Sequence, residues 1–191
     1  MMSIHDRAGG RKYLTGAEHA RFLAAADLAP RDVRAFCHTL AWSGCRISEA
    51  LALTGERIDV TAGAITFETI KKRKRGVFRT VPVPPELATM LDLVFGVRGL
   101  RGPAARAPLW PWSRSTAWRR VKEVLAVAGV AGAQASPKGL RHALGVAAVG
   151  QGIPLNMVQR WLGHAQLTTT AIYAEAVGEE ERAIAARMWT R

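Results

Sequence analysis

Lys138-Gly139-Leu140-Arg141-His142, then Trp161-Leu162-Gly163-His164, then Thr168-Thr169-Thr170-Ala171-Ile172-Tyr173 follow one another in the last third of a 191-residue chain. Their order decides how the rest is read. Arg141 in the first step carries a planar guanidinium, a fork that fits two oxygens of a phosphate. His164 follows a glycine in a turn and is a hydrogen-bond donor for the same oxygens. Tyr173 is a phenol that can form a covalent ester. Each residue taken alone has a plainer reading: a surface salt bridge, a helix-cap contact, a half-buried packing ring. Taken in this order they describe chemistry on a phosphodiester.

Working outward, Ser43-Gly44-Cys45-Arg46-Ile47-Ser48-Glu49 offers a second fork. Gly44 ends one helix, so Arg46 stands at the start of the next, Ile47 to Leu53. A cation there opposes the local helix dipole and calls for an anion nearby; Glu49 is placed to steer it. The helix before it follows Pro30, with Val33, Phe36, Cys37 and Leu40 at the i, i+3, i+4, i+7 spacing of a core-facing stripe. Thr15-Gly16-Ala17-Glu18 has the form of a capping box and opens a helix toward Leu28. Residues 1–12 read as a basic, disordered lead-in.

From Arg57 to Val83 the pattern turns to β. Ile65, Phe67 and Thr69 alternate, and Val77 to Val83 returns as the second arm of a hairpin whose tip is Lys71-Lys72-Arg73-Lys74-Arg75-Gly76. Most of such a run is a solvated basic loop. Pro85 opens a helix to about Phe95, and Gly96 to Ser113 reads as an exposed connection. Ser115 to Ala128 is helical with Trp118, Val121, Leu125 and Ala128 on one face. Gly139 to Gly150, Pro154 to Leu162 and Thr168 to Ala176 complete the helices around the motifs, and Glu179 to Trp189 is a last amphipathic segment. The fold class is α+β, mainly α-helical with a small antiparallel sheet, in one domain from residue 13 to 191.

Lys and Arg outnumber Asp and Glu 27 to 15, a formal net charge of +12 with 49% apolar residues. Such an excess favours a polyanionic partner, and nucleic acid over an acidic membrane surface. No apolar run approaches the ~18 residues of a spanning helix, and the polar start lacks a signal peptide's apolar stretch. A cytoplasmic, nucleoid-associated protein is the expectation. Cys37 and Cys45 lie among apolar helical residues without CxxC spacing and read as reduced packing residues. No ligand cluster for a metal is evident, and no cofactor is called for.

Together the K-x-L-R-H, L-G-H and T-x-I-Y steps, with G-C-R-I-S-E, resemble the catalytic domain of the tyrosine recombinases, the phage-integrase family, over essentially Lys12 to Trp189. The resemblance implies cleavage and rejoining of DNA through a 3′-phosphotyrosyl intermediate, without metal or ATP. Arg46, Arg141 and His164 would hold the phosphate and Tyr173 attack it. Lys138 stands where the family often has histidine, and His142 would orient its neighbours. A hairpin lysine would protonate the leaving 5′-oxygen, with Lys71 matching best and Lys72 and Lys74 as alternatives. Lys72, Arg73, Lys74, Arg75 and Arg79 are then candidate DNA contacts. The N-terminal helical domain of most members, about a hundred residues, finds no room in this sequence at typical domain sizes. The family's working assembly is four protomers on two duplexes, with a C-terminal helix docking on a neighbour; an accessory DNA-binding protein is the other expected partner. Two other readings stand beside this one: a catalytically silent DNA-binding protein of the same fold, and a type IB topoisomerase-like enzyme.

Overall fold

A computed structural model describes residues 3–6, 9–69, 76–175 and 186. Helix α1 (Gly16–Asp27) begins with Thr15 accepting from the Glu18 amide while Glu18 reaches back to the Thr15 amide, the reciprocal box read in the sequence. Helix α2 (Arg31–Ser43) buries Val33, Phe36, Cys37 and Leu40 as one stripe. It stops at Gly44, whose φ of +59° is a left-handed conformation that costs glycine little. A Cβ at Gly44 would also meet Leu144 Cδ2 at 2.6 Å and Leu162 Cδ2 at 2.8 Å. The chain therefore turns tightly into α3 (Ile47–Leu51), with Arg46 at its cap position.

Three antiparallel strands follow in the order β1 (Ile58–Asp59), β2 (Ala64–Glu68), β3 (Phe78–Pro82). The β2–β3 register pairs Ile65 with Val81 and Phe67 with Arg79. Side chains alternate across a sheet, so Ile65, Phe67, Arg79 and Val81 share the inward face, while Phe78 and Thr80 face out. The basic tip expected at Lys71 to Arg75 lies outside the described residues.

Helix α4 (Pro85–Phe95) matches the expected span. The connection after it is not simply exposed. It holds α5 (Gly102–Arg106), and Trp110 is buried, edge-on to Phe36 and Phe95, its indole N–H donating to the Asp32 carbonyl at 2.9 Å. Composition rich in Gly, Pro and Arg marks the loop but not the aromatic anchor that gives the loop its place in the core.

Helix α6 (Arg114–Val127) buries Ala117, Val121, Val124 and Leu125. Trp118, expected on that face, points outward instead, because Ala117 takes the position one step around the helix. Helix α7 (Pro137–Gly150) is capped by Ser136 and starts two residues earlier than expected, so Arg141 and His142 occupy its second turn. Helix α8 (Leu155–Leu162) and the short α9 (Thr168–Ala171) follow, and Tyr173 sits in a 3-10 turn, Ile172–Glu175, directly after α9. The amphipathic segment Glu179 to Trp189 lies outside the described residues apart from Ala186.

Two buried clusters result. The larger joins α1 to α4, α6, the sheet and the start of α7. The smaller gathers Ile4, Tyr13, Val146, Val158, Leu162, Ile172 and Tyr173. Ile4 corrects the expectation of a disordered lead-in: it is fully buried, and its carbonyl accepts from the Lys12 amide at 2.7 Å. One isoleucine in a polar stretch carries little weight in a pattern reading, yet it is the residue that ties the stretch down. Cys37 and Cys45 are both free and buried, and burial pushes each thiol up to about 12. Among the described residues no helix is long and apolar enough to cross a membrane.

Candidate active site

Glu49 is the centre from which the basic residues are arranged. It is buried in the first turn of α3 and receives Arg46 twice, through the backbone amide at 2.8 Å and the guanidinium at 2.7 Å. Arg79 reaches the same carboxylate from β3 with both terminal nitrogens, at 2.6 and 3.2 Å. Burial works to raise the Glu49 pKa, but the hydrogen bonds and charges of Arg79 and Arg46 outweigh it and hold the carboxyl below its ordinary range. The anion that a cation at a helix start calls for is thus in the same turn.

Arg79 also donates to the Trp161 carbonyl at 2.7 Å and to Thr69 Oγ1 at 3.1 Å, and its guanidinium lies 5.4 Å from the Phe67 ring centre. This corrects its expected part as a DNA contact: at 7% exposure its charge is spent inside the protein. The signal was present in the sequence, since Arg79 is in phase with the inward-facing Val81 rather than with Thr80.

Arg141 is 5% exposed, and it bridges two turns by donating to the Gly44 carbonyl at 2.7 Å and the Leu162 carbonyl at 2.5 Å. A guanidinium has five donors, so others remain for a ligand. Burial, and then the charge of Arg46, lowers its pKa to about 10, still cationic at neutral pH.

His164 packs its ring against Tyr173, centroids 6.1 Å apart and planes 22° apart, and its Nδ1 lies 2.9 Å from Thr170 Oγ1. His142 Nδ1 lies 3.2 Å from the Tyr173 hydroxyl. Burial, reinforced for His142 by Lys138 and Arg141 and for His164 by Arg141 and Arg46, depresses their pKa values to about 4 and about 3. Both imidazoles are neutral at pH 7. Each keeps a buried Nε2 with no hydrogen-bond partner among the described residues. Burial raises the Tyr173 pKa against the opposing pull of Arg141 and Arg46.

A cavity of about 380 Å³ opens beside these groups, lined by Arg46, Arg114, Lys138, Arg141, His142 and His164, with Trp118 and Thr169 among its other walls. Among the described residues four cations line it and no carboxylate does. Trp118, 49% exposed, and Arg114 are among the lining residues that pattern reading did not assign to the site. For Trp118 the signal was Ala117, a small residue already filling the core position. The structure therefore brings Arg46, Glu49, Lys138, Arg141, His142, His164 and Tyr173 together. Lys71, Lys72, Arg73, Lys74 and Arg75 lie outside the described residues. Tyr173 is wholly buried and is not part of the cavity wall.

Known proteins resemble the chain in sequence and in fold. The sequence model of the phage integrase family matches residues 12–180. The chain is 32% identical over 142 residues to the tyrosine recombinase XerA of Pyrococcus furiosus, covering 72% of this chain and 48% of that protein. It is 30% identical over 179 residues to the tyrosine recombinase XerD of Vibrio cholerae, covering 88% and 58%. The chain thus spans about half the length of these relatives. Among solved structures, XerA recombinase superposes with a TM-score of 0.78 at 23% identity, over 94% of this chain and 65% of that one. The XerH recombinase in a pre-cleavage complex with its difH substrate gives 0.72 at 20% identity, over 97% and 60%. At such identities the likeness is one of fold.

Proposed function

The chain belongs to the phage integrase family of tyrosine recombinases, and from that premise we propose that it is a site-specific DNA breaking-and-rejoining enzyme with Tyr173 as nucleophile. The observation that carries the reading is the cavity, which among the described residues is lined by four cations and two neutral imidazoles with unpartnered nitrogens, and by no carboxylate. Such a lining is made for an anion with several oxygens, and a scissile phosphate fits it.

In this reading Arg46 and Arg141 hold the non-bridging oxygens, where negative charge gathers as a fifth oxygen approaches phosphorus. Thr170 donates its hydroxyl hydrogen to His164 Nδ1, which leaves Nε2–H to donate to phosphate. His142 Nδ1 accepts from the Tyr173 hydroxyl, leaving its own Nε2–H free in the same way. The Tyr173 oxygen bonds to phosphorus as its hydroxyl proton passes to His142 Nδ1, and the bond to the 5′-oxygen breaks. That oxygen takes a proton from a hairpin lysine, Lys71 first, with Lys72 and Lys74 as alternatives and Lys138 next. Rejoining is the reverse, the 5′-hydroxyl displacing tyrosine, so the ester conserves the energy of the cut strand. Duplex DNA is the partner, Lys72, Arg73, Lys74 and Arg75 supply backbone contacts beside the cut, several copies act on one pair of sites, and the nucleoid is the place of action.

The test is a nicked suicide substrate that loses its 5′-end after cleavage and traps the covalent product. A protein–DNA adduct should form, and it should form equally in EDTA, because a cavity walled by cations repels a divalent ion. Absence of any adduct favours the second reading, a catalytically silent DNA-binding protein, which one observation supports: Tyr173 is fully buried and off the cavity wall. Strict dependence on magnesium would assign the cleavage to another chemistry.

A further inference from the structure

The ring of Tyr173 rests on bare backbone. A Cβ at Gly145, in the middle of α7, would lie 2.5 Å from Tyr173 Cε2, 2.6 Å from Cζ and 2.7 Å from Cδ2, closer than real Cβ contacts come. Glycine in a helix interior costs about 1 kcal/mol relative to alanine, and here the missing methyl is the space the ring fills. His164 covers one side of the ring and His142 takes its hydroxyl. The buried cluster around the ring also draws on the far end of the chain. Ile4, fully buried, belongs to the same cluster as Ile172 and Tyr173. It is held by a small antiparallel turn in which His5 pairs with Arg11, the Asp6 amide donates to the Gly10 carbonyl at 2.7 Å, and the Lys12 amide donates to Ile4. Arg11 fastens that turn to α1 by pairing both terminal guanidinium nitrogens with Glu18, and it donates to the Tyr13 carbonyl at 2.9 Å.

We propose that Gly145 and the N-terminal turn, acting through Ile4, form a seat that holds Tyr173 withdrawn from the phosphate cavity, and that Ile4 and Gly145 are positioning residues for the nucleophile. The proposal rests on the reading of Tyr173 as nucleophile. Its physical basis is that the ring is enclosed by Gly145, the two imidazoles and the small cluster while the clamp cavity is walled without it. Delivery of the hydroxyl to phosphate then requires the short α9 segment to lift the ring off Gly145. Loosening either support makes that step easier.

Two variants of the full chain test this, Gly145→Ala and Ile4→Ala. The first readout needs no DNA: nitration of tyrosines by tetranitromethane, mapped to Tyr13 and Tyr173 by peptide mass. Wild-type Tyr173 should be nitrated slowly, and both variants should speed its nitration by about fivefold or more, Gly145→Ala doing so with Tyr13 still protected. Circular dichroism checks the fold, and should Ile4→Ala unfold the chain, Gly145→Ala decides alone, since alanine favours the helix it enters. The second readout is single-turnover adduct formation on the nicked substrate, which should quicken by about threefold or more. Unchanged nitration of Tyr173 in both variants overturns the seat. Faster nitration with slower adduct formation overturns the withdrawal, because the seat would then be the firing position. Faster nitration with no adduct in any form of the protein, wild type included, leaves the seat standing and removes the strand-cleavage reading instead.

Discussion

In the proposed reading, the arginine clamp and the tyrosine nucleophile are built to different standards. Glu49, Arg79 and the Gly44 end of Arg141's bridge lie beside the large core with Arg46 at its edge, where one buried carboxylate receives two arginines and both cores are stitched by a third. Tyr173 belongs to the small cluster, on a four-residue helix and one 3-10 turn. Preorganised charge stabilises a transition state best when nothing has to move at the moment of reaction. A nucleophile that must bond to phosphorus, and leave again, has to travel. On that reading the difference teaches that the half of the site set in the large core handles charge, and the half in the small cluster handles bonds.

The sharpest way to break this comparison is Tyr173→Phe. It should abolish covalent adduct on the suicide substrate while leaving DNA affinity nearly intact, since one hydroxyl adds little to a surface dominated by phosphate contacts. An adduct surviving in this variant would place the nucleophile elsewhere. On the clamp side, Arg46→Ala and Arg141→Ala should each slow single-turnover cleavage by about 10²-fold or more. Near-wild-type rates in either would reduce that arginine to a structural tie.

Glu49→Gln probes how the clamp is held rather than what it does. Removing one partner of a buried ion pair leaves uncompensated charge and costs about 3–5 kcal/mol, which chemical denaturation would read as a lower midpoint. A midpoint unchanged in Glu49→Gln would mean that Arg79 is supported by Thr69 and the Trp161 carbonyl alone.

Acid should separate the two halves. His142 and His164 have folded pKa values near 4 and 3, below the ordinary 6.5, so the unfolded chain binds more protons once pH drops under about 6.5. Stability held by the neutral imidazoles is complete above that pH and is lost as pH falls toward the folded values. Glu49 has its carboxyl depressed from 4.5, and its contribution is retained down to about that pH and lost only below it. Between pH 6.5 and 4.5 the tyrosine side should therefore loosen first, by up to about 1.4 kcal/mol per histidine per pH unit. Hydrogen exchange of residues 168–175 should rise in that window while α3 stays protected; simultaneous loss would mean one cooperative unit.

The smallest effect concerns the hairpin. Neutralising Arg73 and Arg75 together should flatten the slope of log affinity against log salt by roughly two units, near 0.9 for each phosphate no longer neutralised, on any DNA sequence. An unchanged slope would take the hairpin off the DNA, and a weakening confined to one sequence would show base reading.

Much of this is legible in the residues. The capping box at Thr15, the stripe on α2, the β period around Ile65 and Phe67 and the helix starts near Arg46 and Arg141 are local patterns, and local patterns survive in one dimension. The motif order alone joins Arg46 to Tyr173. Two expectations fail for a shared reason. Pattern makes Arg79 a surface cation and residues 1–12 a loose tail, and in each case the partner that decides the matter is far away in sequence: Glu49 thirty positions from Arg79, the Tyr173 cluster against Ile4.

The sequence by itself determined which residues carry charge, which face each helix and strand buries, and that arginine, histidine and tyrosine recur in one family's order. Those properties depend on side-chain chemistry and on the 3.6- and two-residue periods of the backbone. Only the tertiary structure decided that Arg79 is spent on Glu49, that both imidazoles are held neutral by burial and neighbouring cations, and that Tyr173 sits on Gly145 outside the cavity. Desolvation, charge pairing and steric contact all act through space, between groups that the chain order keeps apart.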